Sequence, residues 1–180
     1  AQDFSPDGKL LYYTSNEGSE FMRLRRYDLA AGAHENVRSA DWDITDVVFS
    51  HNGKYRVDMT NVDGATQVEL FDVAGGNAVA LPRLPAGELR NVRISRTEAR
   101  MAFYVNGDRQ PNDLYVLDFG RDQPVRLTTS LSARIDPGDL VDSSVVRFKA
   151  RDGLAIPNIL WKPHQATAAN NAPVAASTRG

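Results

Sequence analysis

Few side chains in this chain have the types and spacing that chemistry needs. Its three histidines are His34, His51 and His164, and it has no cysteine. A serine nucleophile needs a base within hydrogen-bonding reach and donors for the oxyanion that develops. His51 falls in a polar turn, His34 opens a polar segment, and His164 follows the last strand-like segment. None of the three is expected in a cleft, and no two stand at metal-ligand spacing. No catalytic residue, metal site or cofactor is therefore assigned. Asp28, Asp72 and Asp118 recur at matching positions. A metal reading of them competes with a simpler one, in which an aspartate at a strand end accepts from nearby backbone amides and closes a turn. Arg26 is the one candidate for substrate binding, through a substrate carboxylate. Its counterparts Leu70 and Val116 are expected to be buried, so an arginine there requires exposure or an acidic partner such as Glu20. Arg23 and Arg25 are expected in solvent, and Trp42 and Trp161 are expected to pack rather than to stack on a ligand.

The elements that would position these residues repeat. Phe4-Ser5-Pro6-Asp7-Gly8-Lys9 returns as Phe49-Ser50-His51-Asn52-Gly53-Lys54, and again, degraded, as Ile94-Ser95-Arg96-Thr97-Glu98-Ala99-Arg100. The interval is 45 residues both times, a period that marks propellers and other repeat arrays. Each unit reads as a short strand, a tight turn, an alternating second strand, a polar turn, a third strand closed by aspartate, and a polar fourth strand. Asp7-Gly8 and Asn52-Gly53 are two-residue hairpin signals whose central positions both want positive φ. Glu98-Ala99 lacks that chemistry, so a different turn is expected in the third unit. The second strands are aligned as Leu10, Tyr12 and Thr14 with Tyr55, Val57 and Met59, and with Met101, Phe103 and Val105. The opposite face carries Leu11 and Tyr13, Arg56 and Asp58, and Ala102 and Tyr104.

Four short strands per unit predict an all-β chain: a partial β-propeller of three four-stranded antiparallel blades at about 1–39, 40–85 and 86–131. A linker is expected over 132–144, then a two-stranded hairpin within 145–163, joined at Arg151-Asp152-Gly153. The Ala/Asn-rich tail, 164–180, is expected to be disordered.

Composition excludes some partners. The chain has 180 residues, 42% of them hydrophobic and 24% charged, with a net charge of −2. No basic excess suggests nucleic acid, and no apolar run approaches the ~20 residues of a membrane-spanning helix. No leader is read ahead of the repeat, and the compartment is left unknown.

From Val125-Arg126-Leu127-Thr128, through Ile135-Asp136-Pro137-Gly138-Asp139-Leu140-Val141, to Val146-Arg147-Phe148-Lys149, the chain resembles the prolyl oligopeptidase (S9) family of serine peptidases. Asp152-Gly153-Leu154-Ala155-Ile156-Pro157 and Leu160-Trp161-Lys162-Pro163 extend the likeness. The blades resemble the family's TolB-like propeller. The resemblance covers about residues 4–163. It implies that the hairpin is the opening pair of strands of an α/β-hydrolase domain. Pro173-Val174 looks like the start of the next strand, yet no G-x-S-x-G nucleophile elbow occurs in the chain. The expectation is a non-catalytic propeller fragment of a peptidase whose intact form hydrolyses short peptides while the propeller limits access. The alternative is a stand-alone TolB-like scaffold that binds a protein partner. A third reading makes the catalytic part a separate polypeptide. Closed propellers have about four to eight blades. Three blades leave two bare faces, so self-association or a missing catalytic or propeller portion is expected as the partner.

Overall fold

Polar turns at fixed distances within each 45-residue unit divide it into four antiparallel strands. A computed structural model of the chain describes residues 3–172 and 175–177, the last three as backbone. Blade one consists of β1 (Asp3–Phe4), β2 (Leu10–Ser15), β3 (Arg23–Asp28) and β4 (Ala33–Arg38). Blade two is β5 (Asp43–Phe49), β6 (Tyr55–Val62), β7 (Ala65–Asp72) and β8 (Ala78–Val79). Blade three is β9 (Glu88–Ile94), β10 (Arg100–Gly107), β11 (Gln110–Asp118) and β12 (Val125–Arg126). Each is a four-stranded sheet with neighbours in chain order, and the described residues include no α-helix. The first strands β1, β5 and β9 adjoin one another across blades. They therefore lie toward the axis of the arc, and the fourth strands form its rim.

The repeated turn differs from the expected two-residue form. Gly8 and Gly53 have φ of 71° and 75°, but Asp7 and Asn52 do not share the positive φ. The turn closes instead with Gly8 N donating to Ser5 O and Ser5 N to Leu10 O, at 2.8 Å each. Blade two repeats this through Ser50, Gly53 and Tyr55. Blade three does as well: Glu98 N donates to Ser95 O and Ser95 N to Arg100 O, at 2.9 Å each. The third turn is therefore not a different one. Glu98 occupies the glycine position with φ 56°, a conformation that costs an L-residue roughly 1–2 kcal/mol. A turn with positive φ at both central residues does exist at Asp63 (51°) and Gly64 (79°), between β6 and β7.

The same hydrogen-bond frame corrects the alignment of faces. Counting five residues on from Ser5, Ser50 and Ser95 gives Leu10, Tyr55 and Arg100, so Met101 corresponds to Leu11 and not to Leu10. A one-residue slip exchanges the two faces of a strand. Blade three thus turns Met101, Phe103 and Val105 toward blade two, and Ala102 and Tyr104 away from it. The face holding Arg56 and Asp58, mixed in composition, is the buried face between blades one and two. Asp58 is 0% exposed.

Two clusters fill the seams. Between blades two and three, Val57, Met59 and Leu70 pack on Leu89, Val92, Met101, Phe103, Val105, Tyr115 and Leu117. Between blades one and two a smaller cluster joins Tyr12 and Leu24 to Ile44 and Val47. Arg38, Arg56, Asp58 and Glu69 complete this second seam as an ionic network.

The chain leaves blade three through a single-turn 3-10 helix at Pro137–Asp139. It is capped by Asp136, whose side chain accepts from Gly138 N. Next come β13 (Ser143–Lys149), β14 (Ala155–Trp161) and β15 (Ala175–Ser177), in that order in one antiparallel sheet. Three expectations change here. The first strand starts at Ser143, inside the expected linker, because Ser143 already pairs with Trp161. The expected hairpin has a third strand, and the tail is not structureless throughout. Ala175–Ser177 pairs with Ile159–Trp161, where small residues satisfy the open edge of β14. Ala166 N closes a turn on Pro163 O, and Ala166 is buried. Pro173-Val174 and 178–180 lie outside the described residues.

Candidate functional site

Two blade turns carry the C-terminal sheet, and between them lies a cleft that this sheet shares with the propeller. Its walls are the β6–β7 turn (Asp63, Gly64), the crossing loop Pro85–Gly87, the β10–β11 turn (Asn106–Gln110) and the facing residues Ser143, Val145, Ile159 and Trp161. It encloses about 730 Å³.

Asp108 is the central tie. Its Oδ2 accepts from Ser143 N at 2.7 Å and its Oδ1 from Trp161 Nε1 at 2.8 Å. Burial pushes the Asp108 carboxyl up, but the hydrogen bonds from Ser143 and Trp161 outweigh it and hold the group below the ordinary aspartate range. Asp63 pairs with Arg147 of β13. Arg109 donates through Nε and Nη2 to Pro137 O, at 3.1 and 2.8 Å, and lies 3.7 Å from Asp142. A β-carbon on Gly64 would stand 2.8 Å from Ile159 Cδ1, so the sheet is seated directly on this turn. Every one of these charges has a partner within the chain, and no histidine lines the cleft. The arrangement fixes one sheet on two blades and frames a space.

Comparisons with known proteins bear on this arrangement. No protein-family model matches the sequence, and no curated protein does. Among solved structures, puromycin hydrolase superposes with a TM-score of 0.72 at 18% identity, over 91% of this chain and 25% of that one. Prolyl oligopeptidase B from Galerina marginata, bound to a 35mer hydrolysis and macrocyclization substrate, gives 0.68 at 19%, over 85% and 22%. TolB from Acinetobacter baumannii gives 0.58 at 19%, over 97% and 39%. The fold is of the prolyl oligopeptidase type. The chain spans about a quarter of the length of these two enzymes, and the TolB likeness marks its blades as TolB-like propeller blades.

Within this prolyl oligopeptidase-type fold the residues singled out in the sequence stay apart. His34 and His51 are exposed on blades one and two, and His164 is exposed beyond β14. His34 Nδ1 lies 2.8 Å from the Tyr13 hydroxyl. Arg26 is held by Glu35, Nε at 2.9 Å and Nη2 at 2.6 Å, and not by Glu20. Both partners sit on outer strands of blade one, away from the axis. Of its counterparts, Leu70 is buried, whereas Val116 is half-buried on the bare face of blade three. Asp28 accepts from Ala30 N and Ala31 N, at 2.8 and 2.9 Å, and Asp72 from Gly75 N at 3.1 Å. Asp118 Oδ1 instead lies 2.9 Å from Arg100 Nε, a charge contact outside hydrogen-bond geometry. Trp42 packs beside Phe21, with ring centroids 6.3 Å apart. Trp161, expected only to pack, is a hydrogen-bond donor in the cleft wall.

Sequence reasoning missed Asp63, Asp108, Asp58, Asp113 and Glu98. Asp63 and Asp108 stand 45 residues apart, the interval of the repeat, which was the available signal. Asp113 is fully buried and accepts from Thr128 Oγ1 at 3.0 Å, Ser130 N at 2.8 Å and Arg126. Nothing local in the sequence marks it. Glu98 accepts from Ser50 Oγ, Asn52 N and Lys54 N of the neighbouring blade. Burial raises its carboxyl, but these bonds outweigh that and hold it below the ordinary glutamate range.

Proposed function

We propose that this chain is the non-catalytic propeller portion and domain junction of an S9-type serine peptidase. In its intact form the enzyme hydrolyses short peptides, with the propeller limiting access to the active site. One observation carries the reading: the likeness to puromycin hydrolase runs over 91% of the chain. The sheet is bonded to two blades through Asp63 and Asp108, as suits a mount for a second domain. Self-association through the bare faces of blades one and three, in the absence of a partner portion, belongs to the same proposal.

A second reading, a TolB-like scaffold that binds a protein, draws on the TolB likeness, which covers 97% of the chain. Labelling with a fluorophosphonate probe, read by intact mass, separates the two. The 180-residue chain alone stays unlabelled in both. The peptidase reading expects one label per molecule, and turnover of aminoacyl chromogenic substrates, in a longer polypeptide that carries this segment. A longer polypeptide that takes no label and shows no turnover leaves the scaffold.

A further inference from the structure

Blade two differs from the other blades in how the outer edge of its third strand is finished. In blade one, β4 pairs with β3 from Leu24 to Asp28. In blade three, β12 is short, but the edge beyond it is closed. Leu127 N donates to Leu114 O at 2.7 Å, and Leu114 N to Thr128 Oγ1 at 2.8 Å. In blade two, β8 pairs with Leu70 and Phe71 and stops. Pro82 follows, then Pro85. Proline has no N–H for the ladder and restricts the residue before it, so 81–87 leaves the sheet. Among the described residues no backbone hydrogen bond joins that segment to β7.

The open groups can be named. Val62 and Ala65 flank the two-residue turn at Asp63-Gly64, so odd-numbered residues of β7 bond to β6 and even-numbered ones face outward. Asp72 N obeys this parity, donating outward to Asn77 O at 2.9 Å. Thr66 and Val68 therefore present N–H and C=O groups to the space beside β7. Leu81 and Leu84 pack against the core and wall that space, a groove of about 540 Å³. Its one ionisable lining group, Glu69, is bound to Arg38. The groove is continuous with the junction cleft, since Ala65, Pro85, Ala86 and Gly87 line both. An exposed edge in a soluble protein is usually guarded by charge, a bulge or a cover, yet the outward-facing residues Thr66 and Val68 are uncharged.

We infer that this groove binds an extended, uncharged peptide segment, which adds to blade two as a strand antiparallel to β7 and bonds to Thr66 and Val68. Only another backbone matches alternating donors and acceptors at strand spacing. Alternate apolar side chains of the peptide lie against Leu81 and Leu84. Five residues, roughly 17 Å of strand, fill the open stretch and point toward the junction cleft. The inference rests on the geometry of this chain and not on the peptidase reading.

The test uses the whole chain and an acetylated, amidated Val-Thr-Val-Thr-Val peptide, followed by NMR. Saturable binding with slowed amide exchange at Thr66 and Val68 is expected. The same peptide N-methylated on alternate residues, in its two possible patterns, removes donors from one side at a time. The pattern that silences the β7-facing side should bind more than about tenfold more weakly than the other. Val68→Pro removes an outward donor without touching the β6 ladder and should weaken binding to a similar extent. If that variant does not fold, the two methylated peptides still decide. No saturable binding, binding that leaves Thr66 and Val68 unprotected, or equal loss from both methylation patterns would overturn the inference.

Discussion

At its seam with blade one, blade two presents Arg56, Asp58, Thr60, Glu69 and Phe71. One repeat later, at the seam with blade two, blade three presents Met101, Phe103, Val105, Tyr115 and Leu117 at the matching positions. In the first seam Asp58 is held by Arg56, at 2.7 and 3.0 Å, and by Arg38 at 3.3 Å. Both arginines also lie over the Phe71 ring. In the second, Phe103 stacks on Tyr115 with centroids 5.9 Å apart and an interplanar angle of 7°. Backbone and turn hydrogen bonds are retained from unit to unit while the chemistry between units is exchanged. A propeller seam therefore needs a filled, satisfied face, and both an ionic network and an apolar cluster meet that need. The two should fail differently, because a buried ion network is costly to leave half-made, whereas an apolar cluster loses stability with the volume removed.

The largest expected losses probe that contrast. Phe103→Ala should destabilise by about 3–5 kcal/mol through the cavity it leaves. Asp58→Ala should cost a similar amount, about 3–5 kcal/mol, although fewer atoms are lost, because Arg38 and Arg56 are left without their buried partner. Urea midpoints of the two variants test this, and a small effect of Asp58→Ala would break the comparison. Glu98→Ala should cost about 1–3 kcal/mol, losing the bonds to Ser50, Asn52 and Lys54 while keeping the positive φ. Glu98→Gly should lose less, because the backbone strain is relieved. The sign with pH follows from the lowered Glu98 carboxyl. Its contribution is complete above the ordinary glutamate range and is lost as pH falls through the folded-state value. The gap between wild type and Glu98→Gln, measured by denaturation from pH 7 down to pH 3, should narrow toward acid. Thr60 Oγ1 is buried with no partner among the described residues, and its counterpart is Val105. Thr60→Val should stabilise by about 1 kcal/mol, visible as a raised melting temperature. Arg26→Leu is expected to have the smallest effect, within about 1 kcal/mol of wild type, since its pair with Glu35 is solvent-screened.

The repeat, the blades and the pair β13–β14 were legible because turn chemistry and period-2 alternation are local signals. The faces of blade three were not. An alignment that follows apolar residues slips by one at Met101, whereas Ser5, Ser50 and Ser95 keep the frame. Nothing local marked Asp58 as buried, because one of its two arginine partners, Arg38, comes from another blade. Glu98 looked like a lost turn because the compensation for its backbone lies in the neighbouring unit. For Arg26 the sequence left exposure or an acid such as Glu20 open, and Glu35 is opposite it only once β3 and β4 pair. The junction was the least visible, since Asp108 reaches a tryptophan 53 residues away.

Asp63 and Asp108 occupy the same turn in successive blades, and each grips the C-terminal sheet at a different point. Mechanically this is a mount with two bolts. A single bolt would act as an axle and let whatever is attached swivel. Two, one repeat apart, lock its angle to the curvature of the arc, so a change in the tilt between blades two and three would be delivered to the sheet as torque.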